Sequence, residues 1–553
     1  MTLASLGKKK QPLVLVIMDG LGIGNGGQGD AVAKAYTPYL DKIIRASKTS
    51  GTYAKMRTDG MLVGLPEGQV GNSEVGHGTI GAGRVLLQSL PRINKAVKDG
   101  SLYQNNDLLG LVSRLKQTGG ALHLMGLLSD GGVHSHIEHI IATANFAAEN
   151  GVKVKVHVFA DGRDVNAQSC AKYLEKFKVA TLGRDVCVAT IMGRAIAMER
   201  TDNLPIIQKA YNAIIWGEGK HSTDSAESLK ADYSAQLAAK GKPDKVNDQD
   251  VQPIIMSGFN GAQANDAFLS MNFRADRAIR ICRALIEPEV FGCRKKFIQI
   301  GDLQFSKENF HIATPYSDEL AMLATVLFPK EKVPNCLGEV VSNAGLKQLR
   351  LAETEKYAHV TYFFNGDKEE PFPNEERIII PSPKDGDYAN NPEMSSAEVT
   401  DKLIEALKSK SYDVIIVNYA QPDMVGHTGS IEAAIKSVEA MDSSLARFIP
   451  VIQALNGSAI IISDHGNVEQ MLDNKGNPHT SHTNFPVHMM YVGNGRNVRL
   501  NKEIEGHEIG LADVAPTILG LLGIDKPAEM TGIEIFCATQ RKLGAGSNTK
   551  HFH

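Results

Sequence analysis

The residues best suited to chemistry in this chain are acids and imidazoles crowded into its last quarter. Asp423 and His427 lie four apart in QPDMVGH, Asp464 and His465 are adjacent in SDHGN, and His479 and His482 fall in PHTSHT. Asp19 ends the first apolar run of the chain. Mixed imidazole and carboxylate ligands suit Zn²⁺, Mn²⁺ or Co²⁺, whereas Mg²⁺ and Ca²⁺ draw oxygen donors almost alone. A single Asp or His of this kind is as well explained by a helix cap or an ordinary hydrogen bond. The set, spread over several loops that each follow an apolar run, points to a metal centre.

A serine lies in GNSEVGHGTIGAGR, residues 71–84, a stretch read as a Gly-rich loop whose backbone a phosphate could approach. Ser73 is the nucleophile candidate there, followed by His77 and Arg84. A serine hydroxyl is a poor nucleophile without a base or metal beside it, so Ser73 takes its meaning from the acid and imidazole set. Taken alone it reads as a helix cap. A second Gly-rich stretch, GLGIGNGGQG, spaces Gly22, Gly24 and Gly27 like a dinucleotide fingerprint. Asp41, where a ribose-binding acid would be sought, falls in an amphipathic helical pattern instead of at a strand end, so that reading is set aside.

The middle of the chain supplies cations. DGGVHSH (Asp130 to His136), DGRD with Arg163 and Asp164, GRAIAMER with Arg194 and Arg200, and NFRADR with Arg274 and Arg277 each follow an apolar run. One arginine is usually a surface ion pair. Several at the ends of neighbouring strands suit a small polyanion, because the guanidinium fork matches phosphate and carboxylate. Lys356, in EKYAHVTYFF, is a further point charge for a phosphoryl group, or simply a solvated lysine.

These residues need a scaffold that brings distant loops together. The runs PLVLVIM, YDVIIVNYA and GSAIIIS, apolar on both faces, read as buried parallel strands. ALHLMGLL, VKVHVFA, DVCVATIM and DAFLSMNF form a second series with basic and His residues after the strands. The class is α/β, in which ligands bind beyond the carboxyl ends of strands. At 553 residues the chain exceeds one core. The change of site chemistry places an inserted domain at residues 87–316, between the halves 1–86 and 317–553 of a discontinuous domain, with hinges near 87 and 317. The polar stretch Gly217 to Pro253 reads as a helix among solvated surface loops.

A net charge of −3 leaves no global field for nucleic acid or a membrane surface, so neither partner is expected. The six cysteines form no CxxC pair, which argues against a disulfide framework or a thiolate zinc site. Lys8, Lys9 and Lys10 precede an apolar run as in a leader peptide, but the run is short and ends in Asp19. The final His551-Phe552-His553 is not a peroxisomal address, and the cytoplasm is the expected compartment.

Taken together, VLVIMDGLG, GNSEVGHGTIGAGR, LLSDGGVHSH, FADGRDV, NFRADRAI, EKYAHVTYFFNG, NYAQPDMVGH, SDHGNVEQM and HTSHTNFPV resemble, in the same order, the cofactor-independent phosphoglycerate mutases of the alkaline phosphatase superfamily. The resemblance spans most of the chain. It implies an alkaline-phosphatase-like three-layer sandwich with a second, inserted α/β domain that closes as a lid. It also implies two divalent metal ions, Mn²⁺ or Co²⁺ first, with Mg²⁺ or Zn²⁺ as further choices. Asp423, His427 and His482 would hold one ion, and Asp19, Ser73, Asp464 and His465 the other. Ser73 would carry the phosphoryl group between the 3- and 2-positions of glycerate without bisphosphoglycerate. His134, Arg163, Asp164, Arg194, Arg200, Arg274, Arg277 and Lys356 would contact 3- or 2-phosphoglycerate, Asp164 would exchange protons with the glycerate hydroxyls, and a monomer would suffice. A phosphopentomutase or phosphatase on the same metal core, or a non-catalytic sensor of phosphorylated metabolites, are the competing readings.

Overall fold

The computed structural model describes residues 11–295, 297–298, 301–302, 305–493 and 498–538. Lys8 to Lys10 and His551 to His553 lie outside the described residues. The chain divides into two compact units, residues 1–87 with 332–553, and residues 88–331. The second junction therefore lies some way beyond 317. The helix Asp318–Leu323 and the strand Thr325–Val326 belong to the inserted unit because that strand pairs with Phe310–Ile312.

The first unit is built on a seven-stranded sheet in the order Glu375–Ile380, Gln348–Glu353, Val414–Tyr419, Leu13–Met18, Ser458–Ile462, Val487–Gly493, Tyr53–Met56. The first five strands are mutually parallel, and Val487–Gly493 runs antiparallel to both of its neighbours. Leu13–Met18 shows why this sheet is central. Leu13, Leu15 and Ile17 enter one core while Val14, Val16 and Met18 enter another, so both faces are covered and no polar side chain alternates out to water. The result is three layers, helices on either side of one sheet.

The second unit repeats the scheme with eight strands in the order Thr325–Val326, Phe310–Ile312, Ala267–Ser270, Leu122–Leu127, Val154–Ala160, Val186–Gly193, Ile254–Met256, Lys220–Ser222. All pairs are parallel except that between Val186–Gly193 and Ile254–Met256. Leu122 and Leu124 face one core, Met125 and Leu127 the other. The α/β reading of both series of apolar runs thus corresponds to what is observed. All six cysteines are free, and no helix among the described residues is long and apolar enough to cross a membrane.

Two expectations are corrected. Residues 71–84 are not an open loop: Ser73–Ala82 is a buried helix, and its cap is Asn72, whose Oδ1 accepts from Val75 N at 3.1 Å. Its glycines serve close packing instead of ligand access. A Cβ on Gly81 would lie 1.9 Å from the carbonyl oxygen of Phe364, and one on Gly76 3.2 Å from Asp464 Cβ. The stretch Gly217 to Pro253 does contain a helix, Ser225–Lys240, but it is not mere solvated decoration. Asp248 is fully buried and accepts from the backbone N–H groups of Ser169 and Cys170 at 2.7 and 2.8 Å, while Asn247 Nδ2 donates to Gly162 O at 2.9 Å. A folded brace supports the DGRD loop because a loop carrying charged groups needs its backbone polar atoms satisfied from somewhere.

Several imidazoles are buried with no carboxylate bonded to the ring. Burial pushes His157 well below the ordinary His range, and pushes His139 to about 3 and His311 and His488 each to about 4. Below about pH 6.5 the unfolded chain takes up protons that these folded sites refuse, so their contribution to stability is complete above that pH and is lost as pH falls toward the folded values. The urea midpoint should therefore drop between pH 7.5 and 5.5, and an unchanged midpoint would contradict the assignment of these rings as neutral. Gly81→Ala should destabilise the fold by about 1–3 kcal/mol, because the added methyl meets backbone it cannot displace cheaply; equilibrium urea unfolding measures it.

Candidate active site

Four adjacent parallel strands deliver the chemistry of the first unit. Asp19 follows Leu13–Met18, Asp423 lies in the short helix Gln421–Gly426 after Val414–Tyr419, Asp464 and His465 follow Ser458–Ile462, and Lys356 follows Gln348–Glu353. Because the strands are parallel and neighbouring, their carboxyl ends open on one crevice, and residues hundreds of positions apart become neighbours. The Ser73 helix begins at the same place.

Ser73 Oγ is the hub. Lys356 Nζ donates to it at 2.7 Å, Ser73 donates to Asp19 Oδ1 at 3.3 Å, and His465 Nε2 lies 3.0 Å away. Lys356, only 3% exposed, also bonds Asp19 Oδ1 at 2.8 Å and Asp423 Oδ2 at 2.7 Å. It is therefore no solvated lysine. Burial opposes its charge, yet Asp19, Asp423 and Asp464 outweigh that and raise its proton affinity above that of an ordinary lysine. Burial likewise pushes Asp423 up, and Lys356 with the neighbouring imidazoles brings it well below the usual carboxylate range. Asp464 moves the other way, raised by burial and then by Asp19.

Asp423, His427 and His482 offer ligand atoms all within 4.8 Å of one another. The Nε2 atoms of His427 and His482 lie 3.4 and 3.2 Å from Asp423 Oδ1 and 3.1 Å from each other. His427 Nδ1 faces Thr480 O and His482 Nδ1 faces Gly71 O, each at 2.8 Å. Carbonyls only accept, so each Nδ1 carries the proton, and in the neutral rings two Nε2 lone pairs converge on a carboxylate oxygen. That arrangement calls for a cation. His465 repeats it, with Nδ1 on Gly466 O at 3.3 Å and Nε2 toward Ser73, Asp464 Oδ2 (3.4 Å) and Asp19 Oδ1 (3.6 Å). Asp464 Oδ2 is buried without a hydrogen-bond partner. Asp19 also groups with Asp423 and His465, and with His77 and Asp464, as further donor clusters. Three carboxylates against one ammonium leave a buried excess of negative charge, and this donor set fits divalent cations. His479 stands outside these groups.

Two site-shaping side chains escaped the sequence reading. Asn418 Nδ2 donates to Asp19 Oδ2 at 2.7 Å and to His77 Nε2 at 3.0 Å, which leaves His77 Nδ1 to donate to Ser73 O at 2.8 Å. Asn467 Nδ2 donates to Asp423 Oδ1 at 2.8 Å. The polar Asn418 inside the apolar run YDVIIVNYA was the visible sign; Asn467 had none beyond lying in the SDHGN loop. Arg84, by contrast, bonds Pro334 O and Ala82 O and plays no part in the site.

In the second unit the strand-end residues also gather. Asp161, buried, accepts from Ser129 Oγ at 2.6 Å, from the backbone N–H groups of Arg163 and Asp164, and from Arg194 NH1 at 2.6 Å. The same NH1 reaches Asp164 Oδ2 at 2.6 Å. Arg194 is thus a buried support for Asp164, not an open anion fork, and its Nε has no partner. Burial depresses the Arg277 guanidinium, and Arg200, Arg194 and Arg163 add to that, the signature of cations crowded together. His134 falls to about 4 through burial and then Arg194, with Asp276 Oδ1 3.6 Å from its Nδ1. Arg274 pairs with Asp276 at 3.1 Å. Such a cluster of like charges, costly by itself, suits a small polyanion.

The family profile described as the Metalloenzyme superfamily matches residues 11–526. The 2,3-bisphosphoglycerate-independent phosphoglycerate mutase of Clostridium novyi (strain NT) is 43% identical over 532 residues, covering 95% of this chain and 99% of that protein. The protein of the same name from Pseudomonas entomophila (strain L48) is 43% identical, covering 95% and 98%. Among solved structures, the Leishmania mexicana phosphoglycerate mutase determined at low cobalt concentration aligns with a TM-score of 0.56 at 32% identity, covering 96% of this chain and 98% of that one. The converging donor set, the crowded arginines and these likenesses over nearly the full length lead to one conclusion: the chain belongs to the 2,3-bisphosphoglycerate-independent phosphoglycerate mutases, within the metalloenzyme superfamily.

Proposed function

We propose that this enzyme interconverts 3-phosphoglycerate and 2-phosphoglycerate through a phosphoserine on Ser73, with two divalent ions, Mn²⁺ or Co²⁺, and without bisphosphoglycerate. The observation that carries the reading is the position of Ser73 Oγ, held at once by Lys356, His465 and Asp19. Asp423, His427 and His482 would hold one ion, and Asp19, Ser73, Asp464 and His465 the other. When bound, the ions supply Lewis-acid neutralisation of phosphoryl oxygens and lower the proton affinity of the serine.

The chain's own residues do the rest. With Ser73 ionised beside the Lys356 ammonium, the bond from its Oγ to phosphorus forms as the bond from phosphorus to the 3-oxygen breaks, and the serine is left ionised again when the group departs. Lys356 lies where it stabilises charge on the transferring group, and the amino end of the Ser73 helix favours the same anion. Asp164, steadied through Oδ2 by Arg194, keeps its other oxygen free to take the proton of the 2-hydroxyl and deliver it to the departing 3-oxygen. Phosphoryl return to the 2-oxygen then completes the exchange with no net proton gained or lost. His134, Arg163, Arg200, Arg274 and Arg277 suit the phosphate and carboxylate of the substrate, and Arg194 acts chiefly through Asp164. A cytoplasmic monomer fits this reading.

The test is protein stripped of metal, reloaded with single ions, and assayed for conversion of 3- to 2-phosphoglycerate with bisphosphoglycerate absent. Turnover restored by Mn²⁺ or Co²⁺ is expected; none with any ion would sink the reading. Ser73→Ala should lower turnover on the order of 10⁴-fold or more while phosphoglycerate still binds, and mutase activity near wild type would refute the phosphoserine route.

A further inference from the structure

The carboxylate of Glu469 is 2% exposed and stands behind the donor set without belonging to it. Its Oε2 accepts from the backbone N–H groups of Gly22 and Asn467, both at 2.9 Å, and its Oε1 accepts from Thr483 Oγ1. Each partner adjoins proposed ligands. Gly22 is on the turn that leaves Asp19, Asn467 is two residues past His465 and holds Asp423 through its amide, and Thr483 follows His482. One side chain therefore joins three segments that between them serve both ligand sets. Backbone bonds run alongside, from Ile23 N to Pro486 O at 2.7 Å and from Thr483 N to Gly466 O at 3.0 Å.

The same carboxylate explains the Gly-rich stretch after the first strand. A Cβ on Gly22 would lie 2.4 Å from Glu469 Cδ, and one on Gly24 would lie 2.1 Å from Asp30 Oδ2 and 2.9 Å from Glu469 Cβ. Gly466 is under the same constraint, with 2.2 Å to Glu469 Oε1 and 2.4 Å to Thr483 Oγ1. These glycines are small because a buried acid fills the space, not because a dinucleotide approaches the backbone.

We propose that Glu469 is a positioning residue that sets the spacing between the two metal-ligand sets by tying the Asp19, His465 and His482 segments to one carboxylate. The inference rests on the metal reading above and concerns a group that touches neither metal nor substrate. A carboxylate can accept from all three donors at once, and removing it leaves two buried N–H groups unpaired and frees the segments to drift. Loss of support of this kind behind a ligand typically costs about 10–100-fold in metal affinity.

The experiment titrates full-length, chelator-stripped protein with Co²⁺, following affinity by calorimetry and coordination by the visible absorption spectrum. Wild type should bind two ions. Glu469→Ala should weaken both by about 10–100-fold and alter the spectrum. Glu469→Gln should stay within about threefold of wild type, because the amide oxygen still accepts from both N–H groups and the NH₂ can donate to Thr483 Oγ1. Thr483→Val, which cuts only the tie to the His482 segment, should weaken one ion about tenfold and leave the other unchanged. Wild-type affinities and spectrum in a folded Glu469→Ala would overturn the proposal, as would an unaltered Thr483→Val, which decides the matter if Glu469→Ala does not fold. If wild type itself bound no ion, the metal reading would fall first, and this inference with it.

Discussion

Burying Asp19, Asp423 and Asp464 beside a single ammonium, that of Lys356, is the constraint on which the first unit is organised. Carboxylates taken out of water and set close together repel one another and lose solvation, and each must be repaid by hydrogen bonds or opposite charge. The surroundings are arranged accordingly. Asn418 and Asn467 donate to two of the carboxylates, and each neighbouring imidazole turns its N–H to a backbone carbonyl and its lone pair inward. The parallel sheet makes this possible, since four strand ends open side by side and the helices covering both faces leave that edge to the loops.

The second unit meets the complementary problem, an excess of positive charge, in a similar way. Arg163, Arg200 and Arg277 crowd together, and Asp161 ties Arg194 and the DGRD backbone into a fixed frame. That frame leans on the segment containing Asn247 and Asp248, whose buried polar groups satisfy backbone atoms of the loops carrying the charges. In both units a buried acid that does no chemistry itself governs where the acids and bases that do chemistry can stand. Glu469 and Asp161 play matching parts on unrelated sheets.

Much of this was legible in the residues. Apolar runs without alternation marked the strands because both faces of each sheet are buried, and acids or arginines at the ends of those runs marked the site because parallel strands end together. Mixed carboxylate and imidazole donors marked a site for divalent metal. The glycines were misread: a glycine is written the same whether it admits a ligand, a carbonyl or a neighbouring carboxylate, and only the packing of Gly81 on Phe364 or Gly22 on Glu469 tells them apart. The polar stretch around Asp248 was misread for a like reason, because a buried acid with three good donors looks in sequence like a solvated one.

By itself, then, the sequence determined the α/β class, the inventory of acids, imidazoles and arginines, and the strand ends they follow, since these depend on periodicity and residue type along a short stretch. The tertiary structure alone decided that Asn72 caps the helix while Ser73 Oγ turns to Lys356, His465 and Asp19, that Lys356 is buried among carboxylates, that Arg194 serves Asp164, and that Glu469 joins three segments. Each of these is a contact between residues far apart in the chain or a choice between equivalent local partners. Distances of a few ångströms and burial, which decide such matters, exist only once the strands have been laid side by side.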